Sequence, residues 1–332
     1  MTRDAADAAA TPGAAVPPAG DAARDAPLAL TGPHGWIAGR VRAAAGRRGT
    51  PVRDVERADL ATDDALARAL AGCGAVVHLA AIAHRPRGTV DDGDFDAVNH
   101  RLALRIASVA RESGVRRFVF VSSAKVMGER SPRPFVETDP PAPADAYARS
   151  KLAAERALLA LHAPGRFDVV VARPPLVYGA GARANFAALV RLARRPWPLP
   201  LANATATRSL VHVDNLADAL VFLCTNAHAA GGTYFVADGT EVSVARLVGR
   251  VRELQGRSPR LFPMPRALRA VAATLGRVIG ADPSPIFERL FEPLQVDASA
   301  LRALGWRPPL QAGRALDATL RSLSSLPGEA EP

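Results

Sequence analysis

Thr31-Gly32-Pro33-His34-Gly35-Trp36-Ile37-Ala38-Gly39 is the stretch whose reading decides the fold. It follows a short apolar run, Leu28-Ala-Leu-Thr31, and opens a helix-forming run from Trp36 to Ala45. Glycines at 32 and 35 let the backbone turn tightly and come close to a bound group. A helix start supplies free N–H groups and the positive end of the helix dipole. A strand, a glycine turn and a helix in this order therefore make a cradle for phosphates. The third small position is Ala38, and small is all that close helix–strand packing demands.

Outward from this turn the text alternates. Pro51 to Val55 reads as a strand and Asp59 to Leu70 as a helix, with Asp63 and Asp64 in an early turn that suits the dipole. Gly74 to Ala81 is an apolar strand, Phe95 to Ser113 a long helix ended by Gly114, and Arg117 to Ser122 a second apolar strand. Ala146 to His162 is helical. Phe167 to Ala172 is a strand closed by Arg173-Pro-Pro175. Strands without a polar face, separated by helices, predict a parallel sheet covered on both sides. After Gly179 the pattern loosens: a helix over Asn185 to Ala193, a proline-rich stretch from Pro196 to Pro200, a strand over Ser209 to Val213, a helix from about Asp214, a strand over Tyr234 to Ala237 and a helix over Ser243 to Gln255. The expectation is an α/β fold. A doubly wound parallel sheet occupies residues 28–178, and a smaller, partly interleaved lobe occupies 179–325, with some elements returning to the main sheet. Residues 1–27 are rich in Ala, Pro, Asp and Gly without the basic start and apolar stretch of a secretory signal, and read as a disordered tail.

The 332 residues are 48% hydrophobic and 22% charged, the globular range. No uncharged apolar run reaches the roughly 18 residues of a membrane span. Two distant cysteines, Cys73 and Cys224, offer neither a disulfide framework nor metal-ligand spacing, so no metal is expected and a reducing, cytoplasmic compartment is. The net charge of +10 is spread along the chain with few aromatics, which argues against a nucleic-acid-binding module and suits an anionic substrate such as a nucleotide diphosphate. Of the 42 basic residues only Lys125 and Lys151 are lysines. In so arginine-biased a chain, a surviving lysine points to a need for it.

Tyr147-Ala-Arg-Ser-Lys151 places a phenol and an ammonium four residues apart on one helix face. An ammonium beside a phenol favours the phenolate, so the spacing predicts a Tyr147 pKa lowered from about 10 toward neutrality and a proton donor and acceptor. Val121-Ser122-Ser123 ends a buried strand, where parallel sheets bind ligands, and its hydroxyls are in place to hold a reacting oxygen.

These features in this order resemble the extended short-chain dehydrogenase/reductases, and within them the nucleotide-sugar epimerase/dehydratase family with its Rossmann-like domain. The resemblance runs from about Leu28 to Pro309. It implies a cofactor of NAD, with NADP left open, held by Gly32, Gly35 and Ala38, by Asp59 and Leu60 near the adenine, by Leu79, Ala80 and Ala81, by Asn99, by Ser122 and Pro174, and by Tyr147 and Lys151. It implies catalysis by Ser123, Tyr147 and Lys151, and substrate contacts from Ser123, Asn185 and Arg208. Arg173-Pro-Pro-Leu-Val-Tyr-Gly179 is similar to the segment beneath the nicotinamide, and Leu304-Gly-Trp-Arg-Pro308 to the family's C-terminal motif. A homodimer through two long helices is implied as well.

Departures narrow the expected reaction. Ala124 and Lys125 stand where 4,6-dehydratases of the family carry an Asp-Glu pair, so loss of water is not expected. Met127 replaces a usual tyrosine. The expected chemistry is at C4 of a UDP-sugar in surface-polysaccharide biosynthesis, by 4-epimerisation or by 4-ketoreduction of a UDP-4-keto-6-deoxy-N-acetylhexosamine, with a non-catalytic dinucleotide-binding regulator as the third reading. Asp54 or Glu56 would accept from a ribose 2′-hydroxyl, favouring NAD, whereas Arg53 or Arg57 would hold a 2′-phosphate, favouring NADP. His78 and His212 read as satisfied core histidines, Glu137 and Asp139 as a solvated loop, and Arg266 to Ala281 as a helix of the smaller lobe.

Overall fold

The computed structural model describes residues 26–83, 91–182, 184–265 and 290–325, together with positions 267, 268, 270, 274 and 287. The tail expected over 1–27 lies almost wholly outside these residues, as does most of the helix expected over Arg266 to Ala281.

Six parallel strands form the main sheet: β1 (Leu28–Thr31), β2 (Val52–Val55), β3 (Ala75–His78), β4 (Arg117–Val121), β5 (Asp168–Arg173) and β8 (Thr233–Phe235), in the order β2-β1-β3-β4-β5-β8. Strands β1, β3 and β4 are buried throughout, which is why their sequences carry no alternation. The chain goes outward from β1 to β2 and then crosses to β3, so the order reverses between β1 and β3. Ligands of such sheets bind at the carboxyl ends beside that switch point.

Helices cover both faces. On one side α1 (Trp36–Arg47) and α7 (Val213–Thr225) pack over Leu30, Val77, Val119 and Val121, joined by the fully buried Trp306. The Trp306 indole donates to Asp218 on α7 at 3.1 Å, and Arg48 at the end of α1 grips the same carboxylate at 2.9 Å. On the other side α2 (Asp63–Leu70), α4 (Leu102–Glu112) and α5 (Ala146–Leu159) pack over Ala29, Val76, Phe118 and Phe120.

Boundaries differ from the sequence reading for identifiable reasons. Helix α2 starts at Asp63, not Asp59, because the Thr62 hydroxyl accepts from Ala65 N and caps it. The helix expected over Phe95 to Ser113 is three pieces: α3 (Asp92–Asp96), started by an Asp91–Asp94 capping box, a π-helical turn over Ala97–Arg101, and α4. The π turn carries Asn99, and such turns are frequent at functional sites.

A second sheet was not read from the sequence. Its strands are β6 (Leu176–Tyr178), β7 (Thr207–His212) and β9 (Thr240–Ser243), in the order β6-β7-β9. Around it pack α6 (Ala184–Arg194), α8 (Val244–Leu254) and α10 (Ala312–Ser325), burying Tyr178, Phe186, Val248 and Leu320. Short helix α9 (Ser299–Ala303) lies against β8. Thus β8 and α7, which follow the start of this second sheet in the chain, belong to the main sheet and its cover.

Candidate active site

At the switch point the glycine turn has the geometry its sequence implies. Gly32 has φ +69°, and a Cβ there would stand 2.9 Å from Ala80 N and 3.2 Å from the Leu79 carbonyl carbon. Glycine is required by both the backbone and the space. Gly35 is the N-cap of α1 and no side chain caps that end, so the positive end of a twelve-residue helix opens onto the turn. Ala38 is fully buried against the sheet.

The segment after β3 is held by polar pins. Thr31 Oγ1 lies 2.9 Å from His78 Nδ1 and accepts weakly from Ala80 N. Asn99 accepts from Ile82 N at 2.8 Å and donates to Ile82 O and to Ser150 Oγ, both at 3.0 Å. Ser150 in turn donates to Tyr147 O at 2.8 Å. Asn99 therefore ties the loop of Ala80 and Ala81 to the helix of Tyr147. The sequence shows Asn99 but not this bridging.

Tyr147 and Lys151 lie on α5, whose N-cap is Asp145; its carboxylate accepts from Ala148 N at 2.7 Å. Lys151 is buried, lies over the Phe120 ring at 4.6 Å, and donates from Nζ to Val121 O at 2.9 Å. The Ser123 hydroxyl stands beside the Tyr147 hydroxyl, close enough to hold its pKa down, and accepts from Lys125 N at 3.2 Å. Strand β4 thus brings Ser122 and Ser123 against α5, and Pro174 closes the turn by accepting from Ala124 N at 2.9 Å.

The electrostatics correct one expectation. Tyr147 is pushed up to about 12, not down: burial disfavours the phenolate, the Asp145 carboxylate adds to this, and the neighbouring Ser123 hydroxyl offsets part of it. Lys151 is pushed down to about 7 by burial against the partial pull of Glu155. The ammonium is turned to a backbone carbonyl and weakened by desolvation, so spacing on one helix face does not by itself make a phenolate.

Two further side chains gain roles here. His78 is fully buried between Phe118 and Phe120 at centroid distances of 5.7 and 5.9 Å, and burial pushes its pKa down to about 3. It is a neutral core histidine, yet its Nε2 has no partner among the described residues, so it is not the satisfied one expected. His212, by contrast, caps α7 by accepting from Asp214 N at 3.2 Å. Glu137 and Asp139 are not simply solvated: Glu137 accepts from Phe235 N at 2.9 Å and is raised by burial, and Asp139 is lowered by its hydrogen bond with Arg133 and also accepts from Val136 N. Glu137 fastens the proline-rich loop onto β8, and Asp139 braces the loop from within.

Sequence reading gave no partners to Lys125 and Arg173 and passed over Glu129 and Glu155. Lys125 Nζ pairs with Asp145 and, at 2.8 Å, with Glu129. Arg173 forms a buried pair with Glu155 at 2.6 Å. The signal for Lys125 was its rarity as a lysine; partners from different elements leave none.

At the end of β2, Arg42 binds Asp54 through two nitrogens and the Pro33 carbonyl at 2.7 Å, and Arg53 turns away to the carbonyls of Ala69 and Ala71. Arg53 is therefore removed as a phosphate holder. Glu56 meets His34 of the glycine turn at 2.8 Å, and Asp59 accepts from Glu56 N at 2.8 Å. Leu60 O is held by Arg105 at 2.9 Å. Arg208 lies on β7 and donates to Glu292 O at 2.9 Å. Asn185 lies at the start of α6, and its side chain is outside what the structure describes.

The residues fit a dinucleotide. Gly32 leaves no room for a side chain against Ala80, and the buried Ser122 Oγ, just past the end of β4, is a polar atom without a partner among the described residues. Buried polar groups are nearly always paired, so an orphan at the carboxyl end of β4 marks a place built for a polar group.

A parallel sheet with this cradle and a Ser–Tyr–Lys constellation defines a nicotinamide-dinucleotide enzyme of the short-chain dehydrogenase/reductase class. The chain belongs to the NAD dependent epimerase/dehydratase family, whose model matches residues 28–237. It is 38% identical over 250 residues to the UDP-glucose 4-epimerase of Vibrio cholerae, covering 72% of this chain and 74% of that protein. Among solved structures it is similar to UDP-N-acetylglucosamine 4-epimerase from Bacillus cereus, with TM-score 0.73 and 18% identity over 92% of this chain and 99% of that one. It is similar also to MoeE5 in complex with UDP-glucose and NAD, with TM-score 0.69 and 22% identity over 90% and 98%. These two likenesses are likenesses of fold. No helix among the described residues is long and apolar enough to cross a membrane.

Proposed function

We propose that this chain epimerises a UDP-sugar at C4 through a 4-keto sugar, in the cytoplasm and in surface-polysaccharide biosynthesis. The observation that carries the reading is Lys151 donating to Val121 O at 2.9 Å, which fastens the helix of Tyr147 to the strand end that presents Ser123. The relative in Vibrio cholerae, a UDP-glucose 4-epimerase by name, supports the sugar and the carbon. Two free cysteines suit the compartment.

Residues 28–178 would hold the dinucleotide and 179–325 the sugar, with Arg208 and Asn185 toward the substrate. The glycine turn and the start of α1 would hold the diphosphate. Glu56, fixed by His34, would take the ribose hydroxyl, which favours NAD; Ser122, Pro174 and Lys151 would lie toward the nicotinamide. When bound, the cofactor supplies or accepts the hydride at C4, and its oxidised ring brings a positive charge that works against the raised Tyr147 pKa. Tyr147 gives its proton to, or takes one from, the oxygen on C4. Ser123 holds that oxygen and the tyrosine hydroxyl in line. Lys151, anchored to Val121, keeps α5 at a fixed distance from β4. The position after Ser123 offers Ala124 and Lys125, so no carboxylate is placed to remove a proton at C5 and drive loss of water. The same reading takes two copies to pair through α4 and α5.

One observation favours the second reading, a 4-ketoreductase. Tyr147 with its pKa raised resists ionisation, which suits the donor to a 4-keto oxygen that both reactions need and the reductase needs alone. Incubation with UDP-glucose or UDP-N-acetylglucosamine and no reductant separates the two. Interconversion at C4 supports epimerisation. No conversion, together with NAD(P)H oxidation on a UDP-4-keto-6-deoxy-N-acetylhexosamine, supports reduction. Neither result with any UDP-sugar supports the non-catalytic regulator.

A further inference from the structure

The fold gathers positive charge that reads as spread along the sequence. Residues 174–213 hold five arginines and residues 254–281 another five, with no aspartate or glutamate in either run. Taking these ten from the 42 basic residues leaves 32 against 32 acidic ones, so the two runs account for the whole net charge of +10. Their described parts lie side by side. Leu199 and Leu261 pair as a parallel bridge, Leu199 N donates to Arg260 O at 3.1 Å, and Ala202 N donates to Phe262 O at 3.0 Å. Beneath this join lies Arg252 of α8, 2% exposed. Its guanidinium donates to the carbonyls of Ala193, Arg195, Trp197, Pro259 and Arg260, and no carboxylate among the described residues pairs with it. The carbonyls of Trp197 and Arg260 therefore meet on one buried cation.

What the join presents to solvent is cationic and apolar at once. Trp197 is 54% exposed between Pro196 and Pro198, Phe262 is 46% exposed before Pro263, and Leu192 at the end of α6 is 37% exposed. Arg195 lies over the Trp197 ring at 5.5 Å. Arg257 and Arg260 are exposed, and no carboxylate among the described residues meets either; Arg257 donates to Arg194 O at 2.8 Å. Their charges reach the buried Arg252: burial lowers its pKa, and Arg257 and Arg260 lower it further. Arg260 is also the one described residue other than glycine with a positive φ, +45°. Side chains rarely adopt that conformation, and here Leu199 N and Arg252 hold it through the Arg260 carbonyl. Exposed rings framed by cations, with no anion beside them, mark a surface made to meet something.

We propose that this face docks on an anionic lipid surface, with Arg257 and Arg260 over the headgroups and Trp197 and Phe262 reaching the acyl boundary. Interfacial binding takes apolar area together with attraction to anionic headgroups, and this join supplies both. Aromatic rings are the side chains that settle at headgroup depth. A nucleic acid would also meet the arginines, but Leu192 offers no ring on which a base stacks, and the prolines flanking Trp197 remove neighbouring N–H donors that phosphate contacts use. A second copy paired two-fold through this face would bring the same positive charge against it. The chain lies on the bilayer in this arrangement, and the docking stands apart from which sugar the active site takes.

The test is co-sedimentation of the full chain with vesicles of phosphatidylcholine alone and of phosphatidylcholine mixed with phosphatidylglycerol. The chain should bind the mixed vesicles and not the neutral ones, and added salt should release it. Arg257→Gln with Arg260→Gln should weaken partitioning by about fivefold for each charge removed. Arg47→Gln with Arg68→Gln, which takes the same charge from α1 and α2, should leave it within about twofold. On mixed vesicles with brominated acyl chains the indole emission should be quenched, and Trp197→Phe should abolish the quench, since Trp306 is buried and Trp36 is bonded to Ala180 O. No binding to the mixed vesicles, equal binding to the neutral ones, equal losses in the two double variants, or a quench that survives in Trp197→Phe would each overturn the proposal. So would binding to single-stranded RNA that the Arg257 and Arg260 changes weaken, with none to vesicles, which would give the face to a nucleic acid.

Discussion

Lys151 donates to the carbonyl of Val121 at 2.9 Å, and this bond fastens the helix of Tyr147 to the strand end that presents Ser122 and Ser123. The lysine is buried for this purpose, and burial pushes its pKa down to about 7. The unfolded chain holds that proton up to about 10.5, so between about pH 7 and 10.5 the unfolded state binds more protons. Charged burial costs stability below pH 7, and that cost lifts as pH rises. Relative to Lys151→Met, the parent should gain stability from pH 7 to pH 9 by up to about 1.4 kcal/mol per unit. Urea unfolding at the two pH values reads this directly; a constant difference would place the ammonium in water.

Gly32→Ala puts a Cβ 2.9 Å from Ala80 N at a φ of +69°. The turn and the loop after β3 must part to admit it. The expected outcome is at least a tenfold loss of NAD affinity by calorimetry, with stability reduced by about 1–2 kcal/mol. Retained affinity would mean that the dinucleotide does not lie against this turn.

Glu155 and Arg173 form a buried pair at 2.6 Å, between α5 and β5. Removing one partner leaves an uncompensated charge, so Glu155→Gln should cost about 3–5 kcal/mol in chemical denaturation. A loss below about 1 kcal/mol would show that water reaches the guanidinium.

His78 has its pKa pushed down to about 3 by burial and, secondarily, by Lys151. Its imidazole NMR signals should report the neutral ring at pH 5. The folded pKa lies below the unfolded 6.5, so its contribution to stability is present above pH 6.5 and is lost as pH falls toward 3. A His78 titration centred near 6 would contradict the burial.

Much of this arrangement was legible before any coordinates. Strands β1, β3 and β4 are buried on both faces, and an uninterrupted apolar run such as Phe118-Val-Phe-Val121 reports that directly. The Gly32–Gly35 turn and the Tyr147–Lys151 spacing are local and survive in one dimension. What was missed depends on tertiary approach. Strand β6 has three residues after a Pro-Pro pair, and β9, Thr-Glu-Val-Ser243, has one face polar. Neither declares itself until it pairs with β7. The sign of the Tyr147 shift was misread for the same reason. Helical spacing supplies the lysine, but burial, the direction of its Nζ and the arrival of Asp145 decide which way the phenol moves.

The most direct test of the central claim compares turnover by the parent and by Tyr147→Phe, with C4 conversion of UDP-sugars followed by NMR and NAD(P)H oxidation followed on a 4-keto substrate. General acid–base catalysis contributes about 10²–10⁴-fold. The account predicts that the parent turns over one of these substrates and that Tyr147→Phe loses at least about a hundredfold in kcat while still binding NAD. A Tyr147→Phe protein with the parent's kcat would contradict it.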